Sequence, residues 1–352
     1  MIGTGAIAEK HAQAYRNISY EIVVCSNRSA VRGRDFAARH CARFVERWQD
    51  VCTDAAVDFV DLCTLPDFRL PVIELCAGLP IGTRKPVQVQ KPIAADLATA
   101  HRMIEVAKAA GIALGVVSQH RFDDSSQFLK RAIDAGRLGR ILEADAYVKW
   151  FRPPEYYARP GKGAWAGEGG GVLINQGIHS VDLLLWMMGP VEYVDAQWQL
   201  GALHKIESED VVNALIHYES GATGVIQAST AFRPGSPERI EIHGTKGTAI
   251  LAGDRLVNWE VEESLENGWR EPPPVQAAGA SGASDPMAIS LTPFERQFRD
   301  FGDAIKSAHP PLVAGGQGYR ALELVDAIYR SCREGRRIML GLALTDHGAT
   351  HA

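Results

Sequence analysis

The strongest constraint on this chain is a change of rhythm near residue 120. Before it, short apolar runs alternate with helix-like segments. Residues 21–25, 57–64, 87–90 and 112–117 read as strands, and residues 30–40, 70–77 and 97–110 as helices, the last stopped by Gly111. That alternation predicts a parallel sheet covered on both faces, because parallel neighbours need a long crossover. After it, a helix over 124–135 ends at Gly136, and period-two runs follow at 141–151, 191–200, 211–218, 223–230 and 238–251. Turns such as Glu219-Ser220-Gly221 and His243-Gly244-Thr245-Lys246-Gly247 separate several of these runs, which predicts a mostly antiparallel sheet. Residues 271–284, rich in Pro, Ala and Gly, read as an exposed loop, and two helices follow at 293–306 and 318–333. A chain of 352 residues exceeds one ordinary core, so two domains are expected, 1–120 and 121–352.

Composition narrows the function classes. The formal net charge of −5 supplies no basic field for nucleic acid or anionic lipid. No apolar run approaches the roughly 18 residues of a membrane span. No basic segment followed by an apolar stretch opens the chain, so a cytoplasmic protein is expected. The six cysteines show no CxxC spacing and read as buried free thiols, not as disulfides or a metal site.

Gly3-Thr4-Gly5-Ala6-Ile7-Ala8 has the GxGxxA form. Its glycines allow a tight turn and close approach of backbone to a pyrophosphate, and the small Ala8 lets the next helix pack on its strand. Asn27 follows Ala8 by 19 positions, where an NAD enzyme usually carries an acid for the ribose hydroxyls. A neutral Asn27 does not repel a 2′-phosphate, and Arg28 offers it a guanidinium, so NADP is favoured mildly over NAD. The competing reading makes Arg28 a solvated loop charge. Only Met1 and Ile2 precede Gly3, so the first strand reads as truncated. A start further upstream is expected, and a longer chain is expected to be more stable and to bind cofactor more tightly.

Two further segments carry chemistry. Gln88-Val89-Gln90-Lys91-Pro92 closes a strand of the parallel sheet, and strand C-termini in such sheets face the ligand crevice. Downstream, Gly169-Gly170-Gly171 precedes Asn175-Gln176-Gly177-Ile178-His179 and Asp182. Asn175 and His179 are four apart and would share one face of a helix. Asp182 could orient the imidazole. Between these segments lie Trp150-Phe151-Arg152-Pro153-Pro154-Glu155-Tyr156-Tyr157, then Lys162 and Trp165. Rings and cations together suit a sugar, although the same residues serve equally well as loop packing.

The turn, Lys91-Pro92, Gln119-His120-Arg121-Phe122, the glycine triplet with Asn175 to Asp182, and Gln297-Phe298-Arg299-Asp300-Phe301 together resemble the glucose–fructose oxidoreductase / inositol dehydrogenase / MocA family over essentially the whole chain. The resemblance implies an α/β protein, with an N-terminal Rossmann dinucleotide-binding domain and a C-terminal α+β domain built on an open-faced, mostly antiparallel sheet. It implies hydride transfer between NAD(P) and a secondary alcohol of a sugar, cyclitol or nucleotide-sugar. Carried over, Lys91 and His179 form the catalytic pair. Gly3, Thr4, Gly5, Ala6, Ile7, Asn27, Arg28, Thr64, Lys91, Pro92 and Gln119 face the cofactor. Lys91, Arg152, Tyr157, Trp165, Asn175 and His179 face the substrate. Which of Lys91 and His179 takes the proton is left open.

Some residues depart from the family pattern. Gln90 replaces the usual Glu before Lys-Pro, Arg69 stands where His is common, and Asn175 stands where many members carry Asp. Two other functions compete with the dehydrogenase, an NAD-dependent glycosidase of the same fold and a catalytically silent NAD(P)-binding regulator. The open sheet is expected to pair in a homodimer or homotetramer, which would cover an apolar face.

Overall fold

A computed structural model describes residues 1–158, 161–262, 274–276 and 290–341. The chain forms two compact units. One holds Met1–Gln119 together with Ser290–Tyr319, and the other holds the remaining described residues from His120 onward.

The first unit alternates helices and strands: α1 (Ala6–Asn17), β1 (Val24–Ser26), α2 (Ala30–Arg39), β2 (Arg43–Val45), α3 (Gln49–Thr53), β3 (Val60–Leu62), α4 (Arg69–Gly78), β4 (Val87–Val89), α5 (Leu97–Ala110) and β5 (Leu114–Val116). Every ladder is parallel, β1 with β2 and β3–β4–β5 in order. Ile2 joins the two pieces through bridges to Ser26 and Leu62. β1, β3, β4 and β5 are buried throughout, which explains their apolar runs. The strands are shorter than the runs that announced them. A strand extends only as far as its ladder, and residues 21–23 and 57–59 instead line a cleft of about 590 Å³ beside Tyr15 and Tyr20. That cleft lies at the N-terminal ends of parallel strands, opposite the edge where such sheets bind ligands. Helix α5 matches its expected bounds because both stops are local. The Asp96 carboxylate accepts from Thr99 N–H at 2.8 Å, and Gly111 adopts φ 66°.

The second unit contains α6 (Asp124–Asp134), β6 (Ile141–Lys149), the single turn α7 (Trp165–Glu168), α8 (Ile178–Met188), β7 (Val191–Leu200), β8 (Glu209–Tyr218), β9 (Thr223–Ser229), β10 (Arg239–Gly244), β11 (Gly247–Ala252) and β12 (Arg255–Val261). With a final short strand, β13 (Ile338–Met339), it forms an eight-stranded sheet, ordered β12-β11-β10-β6-β9-β8-β7-β13. Only the β6–β9 pairing is parallel. The run 238–251 is the hairpin of β10 and β11, which reverses at the turn read over His243 to Gly247. Helix α8 packs against β6 and β10 and buries Val181, Leu184 and Met187.

The chain then returns to the first unit through α9 (Thr292–Ser307). Phe294 and Phe298 set their rings 5.7 and 4.8 Å from His11, and Phe301 meets Phe59 at 5.4 Å. Gln297 accepts from Ser118 N–H at 3.1 Å and donates to the Val116 carbonyl at 2.8 Å. The division at residue 120 therefore does not make 121–352 one body. The apolar stripe of α9 finds its partners on α1 and at Phe59, just before β3, a pairing no local pattern announces. Helix α10 (Gly315–Glu334) follows, then β13 (Ile338–Met339) pairs with β7. Of the expected loop 271–284, only residues 274–276 lie within the described residues, with Val275 bridged to Leu256. All six cysteines are free, and Cys41 is exposed, so not every thiol is buried as expected. Among the described residues no helix is long and apolar enough to cross a membrane.

Candidate active site

The glycine turn is built as the sequence implies. Gly3 has φ 90°, and a Cβ there would sit 2.5 Å from the Cys63 carbonyl oxygen, so only glycine fits. Gly5 faces the other way. A Cβ there meets nothing within 4 Å, and no side chain caps α1. The first amides of α1 and the open side of Gly5 fit a pyrophosphate. The Thr4 and Thr64 hydroxyls nearby are buried with no protein partner among the described residues, as fits groups that await a bound cofactor. Asn27 has a second role the sequence did not reveal. Its Oδ1 accepts from Thr4 N–H at 3.3 Å while its amide donates to the Ser29 carbonyl at 3.0 Å, fastening the turn to the end of β1. Arg28 is exposed beside it, Ala6 is exposed, Ile7 is half-buried, and Gln119 is buried after β5.

A buried polar network lies beneath the turn. The Asp61 carboxylate receives Tyr15 O–H at 2.9 Å and lies 2.7 Å from His11 Nδ1. Burial opposes the Asp61 charge, but His11 and Tyr15 outweigh it and hold the carboxyl below its ordinary value. Gln90 Nε2 donates to His11 Nε2 at 2.6 Å, which anchors the residue before Lys91. His11, Asp61 and Cys63 form the one trio of possible metal-ligating residues among the described residues. Their polar atoms already contact one another, so we assign the trio to packing. Lys91 is half-buried, and the following Pro92 is buried.

In the second unit the segment after the glycine triplet is not one α-helix. Leu173–Gly177 is π-helical and α8 begins only at Ile178, so the four-residue spacing of Asn175 and His179 does not define one face. Asn175 turns to the preceding loop. Its amide donates to the Gly171 carbonyl at 3.1 Å, and its Oδ1 accepts from Lys162 at 3.3 Å. Lys162 pairs with Glu168 at 2.8 Å. The His179 ring meets His120 edge to face at 5.1 Å, and His120 Nδ1 lies 2.8 Å from Asp123. Burial disfavours the charged form of His120, but the Asp123 carboxylate prevails and holds its pKa above the ordinary value. Asp182, expected to orient His179, takes the Arg121 guanidinium on both oxygens, at 2.7 and 2.6 Å.

A buried acid that the sequence did not flag holds the triplet. Glu209 accepts from Gly171 N–H and Leu173 N–H at 2.9 Å each and from Tyr329 O–H at 2.7 Å. Burial still pushes its carboxyl above the ordinary value. A Cβ on Gly171 would overlap the Glu209 carbonyl, so that glycine is required by close approach. Its only sequence signal was the glycine triplet itself.

The aromatic segment divides in two. Tyr157 donates or accepts at Thr230 Oγ1 at 2.7 Å and leans on His204, and Trp165 packs against Trp198 and Tyr329 with Arg333 over its face. These contacts fix where the Tyr157 and Trp165 rings sit. Tyr156, named in the segment of rings and cations, accepts from Gln176 Nε2 at 2.8 Å, with Lys162 and Arg152 beside its ring at 5.1 and 5.7 Å. Arg152 also stacks on Trp150 and is buried.

A parallel sheet with an open glycine turn, followed by a large antiparallel sheet rich in polar groups, defines a dinucleotide-dependent oxidoreductase of two units. The chain belongs to the GFO/IDH/MocA oxidoreductase family. Residues 1–118 match the family's NAD-binding Rossmann fold, and residues 126–250 match the GFO/IDH/MocA C-terminal domain. The WlbA dehydrogenase of Bordetella pertussis, solved with NADH and UDP-GlcNAcA, is 30% identical with a TM-score of 0.82, over 97% of this chain and 98% of its own. The D-apiose dehydrogenase of Paraburkholderia graminis is 27% identical over 97% of this chain and 88% of its own length. The myo-inositol 2-dehydrogenase of Thermotoga maritima is 28% identical over 83% of this chain and 82% of its own.

Proposed function

We propose that this NAD(P)-dependent enzyme oxidises a secondary alcohol of a sugar, cyclitol or nucleotide-sugar, or reduces the matching ketone, with Lys91 and His179 as its catalytic pair. The observation that carries the reading is the open Gly5 turn at the uncapped start of α1, in a chain that also holds a segment from Asn175 to His179 lined by polar groups. The bound nicotinamide would supply hydride transfer. Lys91 stabilises negative charge on the reacting oxygen, and a neutral imidazole at His179 accepts its proton. Asn175, positioned by Lys162 and the Gly171 carbonyl, contacts a neighbouring hydroxyl. Stoichiometry tests this reading. Each alcohol consumed should reduce one cofactor, whereas release of free sugar from an aryl glycoside without net reduction would identify a glycosidase.

NADP is the finer choice. Asn27 is neutral and exposed Arg28 lies next to it, although the WlbA dehydrogenase of Bordetella pertussis was solved with NADH. Arg28→Ala should raise the KM for NADP about tenfold, the effect of losing one charge-assisted phosphate contact of roughly 1.5 kcal/mol, with little change for NAD. A fall in both alike would remove Arg28 from the site. The free thiols support a reducing compartment such as the cytoplasm.

The second sheet supports a homodimer or homotetramer, on grounds different from those expected. Its open face is mixed, with Leu215 62% exposed among Asp195, Gln197, Asn213 and Gln227. Light scattering at micromolar concentration should give at least twice the monomer mass, and Leu215→Lys should lower it. A monomer in the unmodified chain would refute the pairing.

A further inference from the structure

Arg69 opens α4 and is buried, with 1% of its surface exposed. Its Nη1 donates to the carbonyls of Gln90 and Pro92, and to that of Ile93 at 3.3 Å. Its Nη2 donates to the Thr64 carbonyl at 2.7 Å. One guanidinium thus holds backbone on both sides of Lys91 and ties it to the loop after β3. Both loops leave the C-terminal edge of the parallel sheet, where ligands bind. Burial pulls the Arg69 pKa down to about 9, so the side chain remains cationic at neutral pH. A buried cation that donates only to carbonyls, with its Nε left without a hydrogen-bond partner among the described residues, is a costly way to fill space, and an apolar side chain of similar volume would avoid the desolvation. What the guanidinium supplies and an apolar group cannot is several fixed donors in one plane.

We propose that Arg69 is a positioning residue: it clamps the carbonyls flanking Lys91 and so fixes where the Lys91 ammonium is presented. The proposal rests on the catalytic reading of Lys91. A lysine ammonium sits on a flexible four-carbon stem, so its location depends on how well its backbone is held. A misplacement of about 1 Å at a reacting group costs on the order of a hundredfold in rate.

Two measurements on the full chain test it. The first is the NMR signal of isotope-labelled dimethyl groups on the lysines, with the Lys91 signal assigned by its loss in Lys91→Ala. In folded Arg69→Met that signal alone should move to the position and width of exposed lysines. The second is turnover of NADP with the fastest alcohol from a panel of aldoses, inositols and nucleotide-sugars. Arg69→Met should lower kcat about a hundredfold, and Arg69→Lys should recover part of it. Combining Arg69→Met with Lys91→Ala should be no slower than Lys91→Ala alone, a non-additivity that general destabilisation would not give. Should Arg69→Met fail to fold, Arg69→Gln takes its place with the same outcomes. An unmoved Lys91 signal, or additive losses in the double variant, overturns the proposal. Normal turnover in Lys91→Ala instead overturns the catalytic role of Lys91 itself, and this proposal with it.

Discussion

His179→Ala is expected to slow turnover by roughly 10²–10⁴-fold, the usual worth of a positioned acid–base group, while cofactor binding stays largely intact. Imidazole has an ordinary pKa near 6.5 and can accept an alcohol proton near neutrality. The ring is placed by its own unit. His120 stands edge to face at 5.1 Å, and His120 is in turn held by Asp123. His179 lies on α8, which packs against β6 and β10. On the proposed assignment, removing the imidazole deletes the proton acceptor, while the glycine turn belongs to the other unit. Lys91→Ala should show a loss of similar size through the charge it places at the reacting oxygen. Steady-state kinetics with a separate titration of cofactor binding would check both. Near-wild-type turnover in both variants would end the assignment.

The second large effect is on stability. Asp182→Asn should destabilise the protein by about 3–5 kcal/mol, because it leaves the buried Arg121 guanidinium without its carboxylate. The two side chains are 5% and 2% exposed and meet in a bidentate pair, so solvent does little to screen the loss. Arg121 also lies 5.6 Å from the Trp186 ring, which cannot replace a carboxylate. Replacing both partners together, Arg121→Met with Asp182→Leu, should recover much of the loss, since the apolar pair carries no desolvation penalty. Denaturant unfolding would measure this. A loss below about 1 kcal/mol for Asp182→Asn would show that the pair is solvated, as exposed pairs are.

The sequence made the fold legible wherever the signal was local. α5 has its caps at Asp96 and Gly111, and β9 alternates buried and more exposed positions from Thr223 to Ala228. The glycine turn was equally readable, since a strained φ and a close carbonyl leave only glycine at position 3. What escaped depends on distant partners. Helix α9 is amphipathic wherever it docks, and nothing in residues 292–307 says that Tyr15, His11 and Phe59 receive it. β2 and α3 are too short to show a period. The same limit shaped the site. The spacing puts Asn175 and His179 on one helical face, but Asn175 lies in a π-helical stretch before α8, and Arg121, 61 residues earlier, takes Asp182. Glu209 and Arg69 act mainly on backbone groups distant in sequence, so no local motif reveals what they hold.

The central claim, hydride exchange between a nicotinamide cofactor and a sugar-type alcohol, is tested most directly by one screen. The full chain is incubated with NAD or NADP against aldoses, inositols, glycosides and nucleotide-sugars, beside Lys91→Ala as control. Reduction of cofactor by at least one of these alcohols, lost in Lys91→Ala, is the predicted result. Measurable cofactor binding with no reduction from any of them would contradict the account and point to a silent nucleotide-binding protein.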